Sequence, residues 1–353
     1  MLLEPVKLGA LTLQNRAIMA PLTRSRAVGH LPNKLMAEYY GQRATAGLII
    51  TECTMILPNT SAFIAEPGIY APEQIAAWKA TTDAVHTKGG KIFMQIWHAG
   101  RAAHPDMNNG EQPVSASAIA IEGQTHTPKG KADYVVPRAL RDEEIPAIVA
   151  AFAQAARNAR EAGFDGVEVH GANGYLIDQF LRDGSNQRSG NYGGSMENRA
   201  RLLFEVLEAV SAAIGSDRVG LRLSLLNSYN SMIDSQPLAL AQFLAERLNQ
   251  FNLAYVHVMR ADFFGVQHGD VMTVFRAHYQ GSLIGNMGYS ATEAEQAIQD
   301  NQLDAVAFGT GFLANPDFVQ RIRLNAAMNT PDPATFYTQG AEGYTDYPSL
   351  PQS

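Results

Sequence analysis

The chain has 353 residues, 46% hydrophobic and 17% charged, with a formal net charge of -7. That length and balance suit one large α/β domain or two smaller ones with ample core, and the acidic excess argues against nucleic acid or an anionic membrane surface as partner. No apolar run is long enough to span a bilayer, and the opening MLLEPVKLG lacks the regions of a signal peptide, so the expectation is a soluble cytoplasmic protein, monomeric or weakly dimeric.

In chain order, VKLGALTLQN reads first, as a hairpin that could plug the N-terminal end of a barrel. Apolar, β-branched runs then recur at 17–22, 48–55, 92–97, 166–170, 219–223, 254–258, 282–285 and 305–308. Amphipathic helical patterns lie between them. The clearest are PEQIAAWKATTDAVHTKG, DEEIPAIVAAFAQAARNAREAG and SMENRARLLFEVLEAVSAAIG, with acidic first turns and glycine at the end. The lone cysteine, Cys53, lies within the second run, where a buried inert thiol is expected. Residues 99–144, after the third run, make an unusually long loop, expected to serve as a lid or pocket wall. Strand–helix alternation of this number predicts a (β/α)8 (TIM) barrel in a single domain over 1–353. A doubly wound sheet is disfavoured, because Ala20-Pro21-Leu22-Thr23 stands where a G-x-G-x-x-G would open the first helix.

In such a barrel the pocket is built at the C-terminal ends of the strands. Those ends supply Pro21, Leu22 and Thr23; Glu52 to Thr54; Gln95, Trp97 and His98; His170 with Asn173 and Tyr175 beyond; Arg222 and Ser224; His257; Gly285 and Asn286; and Gly309 and Thr310. No lysine stands there for a Schiff base, no His-x-His pair lies on the first strand, and no Gly-x-Ser-x-Gly elbow occurs. What remains is donors. His170 and Asn173 can aim N–H groups at one oxygen, Tyr175 can hand over a proton, Gln95 can both give and accept, and Arg222 carries a fixed charge. Backbone N–H groups near Gly285 and Gly309 suit a phosphate. The set fits a planar heterocycle with a phosphate tail, bound beside a carbonyl compound. His98 and His257 read as structural and Glu168 as a buried partner, one that Arg222 could itself engage.

The words NRAIMAPLTR, MQIWHAGR, GFDGVEVHGANGYLIDQFL, SGNYGGSMENRARLLFEV, LDAVAFGTGFLANPDF and AEGYTDYPSL, in that order, resemble the old yellow enzymes, flavin-dependent ene-reductases. Thr23 after MAPL resembles the classical rather than the thermophilic-like branch. The resemblance implies FMN at the barrel mouth, with NADPH, or less readily NADH, as hydride donor. It implies activated alkenes as substrates: His170 and Asn173 hold the carbonyl or nitro oxygen, and Tyr175 protonates the α-carbon. It further implies Arg222, Gln95 and Thr23 around the flavin ring, and Pro21, Leu22, Gly285, Asn286, Gly309 and Thr310 along the cofactor. Phe63, Trp97 and Tyr344 are implied at the substrate. Relatives often carry arginine where this chain has Thr310, Ser-Pro where it has Ser224-Leu225, and tyrosine where it has Phe63. Two other readings remain open at this point: a different barrel enzyme, such as a phosphosugar isomerase or metal hydrolase, and a flavin-binding protein without turnover.

Overall fold

The computed structural model describes residues 1–351, and in it the eight apolar runs close on themselves. The barrel strands are β1 (Ala17–Met19), β2 (Leu48–Ile50), β3 (Ile92–Trp97), β4 (Gly166–Gly171), β5 (Val219–Leu223), β6 (Tyr255–Met259), β7 (Leu283–Asn286) and β8 (Ala305–Phe308). Each runs parallel to the next, and β8 returns to β1 through Val306↔Ala17 and Phe308↔Met19. Between strands lie α1 (Lys34–Gln42), α2 (Pro72–His86), α3 (Ile145–Glu161), α4 (Arg201–Ile214), α5 (Pro237–Leu248), α6 (Val271–His278) and α7 (Ala291–Gln299), with α8 (Phe318–Leu324) after β8. No helix among the described residues is long and apolar enough to cross a membrane.

Local chemistry sets the helix starts. Asn33 caps α1 by accepting the Met36 N–H at 3.1 Å, and Ser290 and Glu293 form a reciprocal capping box at α7. Gly215, at φ 89°, ends α4. Two expected elements are divided. The run 48–55 breaks after Ile50, because the Thr51 and Thr54 hydroxyls both donate to the Glu52 carbonyl, at 3.0 and 3.1 Å, and turn the chain. Thr54–Met55 then pairs with the end of β3. The run 195–215 splits at Ala200 into Met196–Arg199 and α4.

Strand alternation sorts the side chains into two environments. Val167, Val169, Leu221, Leu223, Val256 and Val258 pack outward with the helices in the main apolar cluster. The other face fills the barrel. At the N-terminal end Leu8, Leu11 and Leu13 of the hairpin Val6–Leu8/Leu11–Leu13 pack with Phe93, Tyr255, Ile284 and Ala305, so the hairpin plugs the barrel as expected. Gly9 turns it at φ +53°, where a Cβ would fall 2.0 Å from the Asp217 carbonyl oxygen. Towards the C-terminal end the interior becomes polar.

Two segments cover that end. The loop 99–144 carries its own hairpin, Gln124–Thr127/Gly130–Asp133. The C-terminal segment is drawn across by the two arginines that follow β1. Arg24 donates to the carbonyls of Phe336 (3.0 Å) and Gly343 (2.6 Å), and Arg26 to those of Thr335 and Glu342 (both 3.0 Å).

The plug yields a stability prediction. Leu8→Ala, which empties space among Phe93 and Tyr255, is expected to cost about 2–4 kcal/mol in chemical denaturation. Lys7→Ala, one residue away and exposed, is expected to stay within about 0.5 kcal/mol of the parent. Equal effects from the two would contradict the plug.

Candidate active site

Inside the upper barrel the carboxylate of Glu168 on β4 is fully buried and accepts three hydrogen bonds. They come from Gln95 Nε2 on β3 (2.8 Å) and from Tyr255 Oη (3.1 Å) and His257 Nδ1 (2.9 Å) on β6. Burial pushes the carboxyl up, but His257, Arg222 and Gln95 outweigh it and hold Glu168 below the usual carboxylate range. Arg222 does not bond to Glu168. Its Nη2 donates to Asn286 Oδ1 at 2.8 Å, while Asn286 Nδ2 donates to the Ala307 carbonyl at 2.8 Å. Asn286 is thus engaged at both ends and holds the guanidinium from the side. Arg222 Nε and His257 Nε2 are buried without a partner. A buried N–H of a guanidinium left unpaired is costly, and this one marks a place for an acceptor.

One residue pair beyond Glu168, β4 ends in His-Gly-Ala-Asn-Gly-Tyr. The Ala172 N–H donates to His170 Nδ1 at 3.3 Å, so the ring proton belongs on Nε2. Burial holds the imidazole well below its ordinary pKa, aided by Arg222 and His257, and the ring is neutral. Asn173 sits in the left-handed region at φ 57°, which asparagine tolerates. Its N–H donates to Ser224 Oγ (2.7 Å), its carbonyl accepts from Asn230 (2.9 Å), and its Oδ1 accepts from Asn227 Nδ2 (2.9 Å). The amide orientation is therefore fixed with Nδ2 outward. Gly174 follows at φ +74°, where a Cβ would meet Asn230 at 2.7 Å. Tyr175 completes the corner, its ring 5.1 Å from that of His170 and 4.3 Å from that of Trp97, both edge-on. Burial raises its phenol well above the ordinary range, so it keeps its proton.

Two cavities open at this end of the barrel, and Tyr175 is the corner residue that borders one of them. The larger, about 660 Å³, is bordered by Tyr175, by Phe63 and Ile64 from the loop after β2, by Tyr134 from the long loop, by Tyr229 after β5 and by Tyr337 of the C-terminal segment. The second, about 500 Å³, is bordered by Pro21, Leu22, Arg222, Asn286, Gly288, Gly309 and Thr310. Arg222 is the one cation on its wall among the described residues. Thr310 opens the short helix Thr310–Ala314, whose leading N–H groups lack intrahelical partners. Arg260 sits behind the wall. It donates to the carbonyls of Met287 and Gly288, both at 2.8 Å, and lies over the Tyr289 ring at 3.8 Å.

Most expected residues gather here, with corrections. Tyr344 does not border the larger cavity: it is wholly buried, stacks on Tyr39 at 4.0 Å and lies under the Arg26 guanidinium at 4.6 Å. Tyr337, from the same segment, stands there instead, parallel to Phe63 at 6.3 Å. Gly285 does not border the second cavity; a Cβ there would strike Leu303 at 2.5 Å, so its bareness serves packing. Trp97 is fully buried and meets the larger cavity only through Tyr175 and Phe63, the latter at 6.0 Å. His170, Asn173, Thr23 and Gln95 border neither cavity; the Thr23 hydroxyl contacts Cys53 Sγ at 3.2 Å. Tyr134, Tyr229, Asn227, Arg260 and Tyr337 went unforeseen, since each reaches the site from a loop with no periodicity. Among the described residues no three His, Cys, Asp or Glu side chains gather as a metal site.

Comparison with known proteins agrees with this geometry. Residues 1–329 match the model of the NADH:flavin oxidoreductase / NADH oxidase family. The chain is 50% identical to a probable flavin mononucleotide-dependent alkene reductase of Leishmania infantum, over 99% of this chain and 97% of that one. It is 45% identical to a putative 12-oxophytodienoate reductase 2 of Oryza sativa subsp. japonica, over 99% and 94%. Among solved structures it superposes on the old yellow enzyme from Trypanosoma cruzi with a TM-score of 0.96 at 45% identity, covering 99% of both chains. It superposes on morphinone reductase with a TM-score of 0.95 at 46% identity, covering 99% of this chain and 96% of that one. With that likeness spanning the whole barrel and its mouth, the chain belongs to the NADH:flavin oxidoreductase / NADH oxidase family, among the old yellow enzymes.

Proposed function

We propose that the protein is an FMN-dependent ene-reductase that uses NADPH, or NADH, to reduce the C=C bond of α,β-unsaturated carbonyl compounds or nitroalkenes. The observation that carries this reading is the corner after β4, where two neutral donors, His170 Nε2–H and Asn173 Nδ2–H, stand beside a protonated phenol, Tyr175, that borders an aromatic cavity. We further propose a cytoplasmic setting and a monomer or weak homodimer.

The residues present fit FMN. The orphaned Arg222 Nε needs an acceptor, as the edge of a flavin ring would supply, and Gln95 keeps its Oε1 free of protein partners. Pro21, Leu22, Gly309 and Thr310 would hold the tail through contact, main-chain N–H groups and one hydroxyl. FMN, when bound, supplies the hydride chemistry, taking hydride from the nicotinamide and giving it to the alkene β-carbon. His170 and Asn173 hold the substrate oxygen and stabilise the charge that grows on it. Because both are neutral, they attract this charge through dipoles fixed beforehand by the Ala172 N–H and the Asn227 amide. Tyr175 protonates the α-carbon, and the buried phenol keeps that proton available across the neutral range. Glu168 acts through others, fixing Gln95 and His257 from inside the barrel.

Three outcomes are expected. Losing one oxygen-holding donor should weaken transition-state binding by about 2–4 kcal/mol. His170→Ala and Asn173→Ala should therefore slow flavin reoxidation by an enone and fade the charge-transfer band that a bound phenol gives. An unchanged band and rate in both variants would contradict the assignment.

Tyr175→Phe should slow enone turnover while leaving flavin reduction by NADPH near the parent rate. With a nitroalkene, whose carbanion is stable, reoxidation should persist and the nitronate should accumulate. Equal loss in the NADPH half-reaction would remove the proton-donor role.

A phosphate held by main-chain groups and a hydroxyl lacks a charge-assisted contact, which contributes about 1.5–3 kcal/mol. Fluorescence titration of the apoprotein should show that Thr310→Arg tightens FMN about 10- to 100-fold and steepens its salt dependence. Weaker binding in that variant would mean that another group already fills the space.

A further inference from the structure

The loop after β2 borders the larger cavity through Ala62, Phe63 and Ile64, and Glu66 folds back beneath it. Its side chain is wholly buried. Oε1 accepts the Ala62 N–H at 3.1 Å and Oε2 the Phe63 N–H at 2.9 Å. On the same turn the Ser61 hydroxyl donates to the Phe63 carbonyl at 2.7 Å. Hydrogen bonds to its carbonyls tie the loop to the segment after β1, from the His30 side chain Nδ1 to the Glu66 carbonyl (2.8 Å) and from the Ala27 N–H to the Ala65 carbonyl (3.0 Å). One carboxyl thus holds both peptide N–H groups that set the direction of the Phe63 ring, which stands against Trp97 and Tyr337.

The surroundings of that carboxyl are peptide N–H groups, the Ser61 hydroxyl and the Cys53 thiol. The His30 ring is on its carbonyl, and the guanidiniums of Arg24 and Arg26 on the neighbouring segment are engaged with C-terminal carbonyls. No ion pair involves Glu66 among the described residues. A buried carboxylate without a cation is strongly disfavoured, and it gains by any movement that lets water reach it.

We propose that Glu66 is a positioning residue that pins the Phe63 wall, so setting how tightly the cavity holds its alkene, and that ionisation of Glu66 loosens the pin. The proposal rests on reading the larger cavity as the alkene site. Burial raises the carboxyl from 4.5 to about 8 in the pinned loop. A loop opened to water would return it towards the lower value, so the pinned form binds the proton more tightly. Pinning is therefore complete at the acid end and is lost progressively as pH rises towards about 8. Asp178, raised to about 6, and Glu52, raised to about 7, titrate in the same span. Neither bonds to this loop: Asp178 accepts from the Gly174 N–H and Glu52 from Tyr40 and the Arg24 N–H.

Steady-state kinetics with 2-cyclohexenone on the FMN-loaded protein and on Glu66→Gln, over the span from about pH 5 to about pH 8, separates these groups. Wild-type KM should rise about three- to tenfold across that span, with kcat moving less. Glu66→Gln cannot ionise and keeps one of the two acceptor oxygens, so its KM should be independent of pH, at or above the wild-type acid value. Glu66→Ala has no pin and should show a raised KM at every pH; the comparison of wild type with Glu66→Gln stands even if the alanine variant does not fold. Parallel KM profiles in wild type and Glu66→Gln, with turnover intact, would overturn this inference alone. Absence of cyclohexenone turnover in the wild type would overturn the ene-reductase reading and this inference with it.

Discussion

A carboxylate sealed inside a barrel must be answered by donors, and the arrangement around Glu168 follows from that constraint. Three side chains, Gln95, Tyr255 and His257, turn inward to satisfy it. Because they come from β3 and β6, one buried charge ties together strands on opposite sides of its own. Arg222 lies near enough to lower the Glu168 pKa, yet bonds to Asn286 and keeps Nε unpaired. The interior is therefore balanced in charge while leaving polar atoms turned towards a ligand. Below this layer the barrel is apolar and closed by the N-terminal hairpin, which confines the polar chemistry to the mouth.

The corner after β4 converts that interior into a site. A strand must stop, reverse and start the helix Leu176–Leu181 within a few residues, and the turn uses Asn173 and Gly174 in the left-handed region. The same geometry occupies His170 Nδ1 and Asn173 Oδ1 with local donors. Each side chain is left with a single kind of outward group, an N–H. A neutral pair of this sort attracts a developing oxyanion without requiring a permanent counter-charge in the cavity, and it spares the site a charged imidazole that burial would oppose. Above the corner, the mouth is closed by segments distant in sequence, and Arg24 and Arg26 bring the last of these into place through carbonyl contacts.

The barrel was legible because its signals are local: β-branched runs at regular intervals, capped helices between them, and a hairpin before the first strand. The His170, Asn173 and Tyr175 corner was legible for the same reason, since the three lie within six residues of chain. What the sequence could not display are contacts set by long-range hydrogen bonds. The choice of Tyr337 over Tyr344 at the cavity depends on where Arg24 and Arg26 grip the C-terminal carbonyls, and main-chain acceptors leave no trace in residue types. Gly285 carries the strand-end glycine expected of a phosphate site, but Leu303 claims the space beside it. The division of 48–55 turns on two threonine hydroxyls that converge on the Glu52 carbonyl, a preference that competes with the strand without altering its apolar pattern. Glu66 reads in sequence as an ordinary loop acid, and only its burial beneath Phe63 marks it out.

The central claim is that the two cavities are one reaction site, in which electrons from a nicotinamide reach an activated alkene. It is tested most directly by reducing the FMN-loaded wild-type protein anaerobically with one equivalent of NADPH and mixing it with 2-cyclohexenone while following flavin absorbance. The account predicts bleaching by NADPH and then full return of the oxidised spectrum, with cyclohexanone formed in equal amount. A flavin that bleaches but does not reoxidise with the enone, or that returns without cyclohexanone, would contradict it.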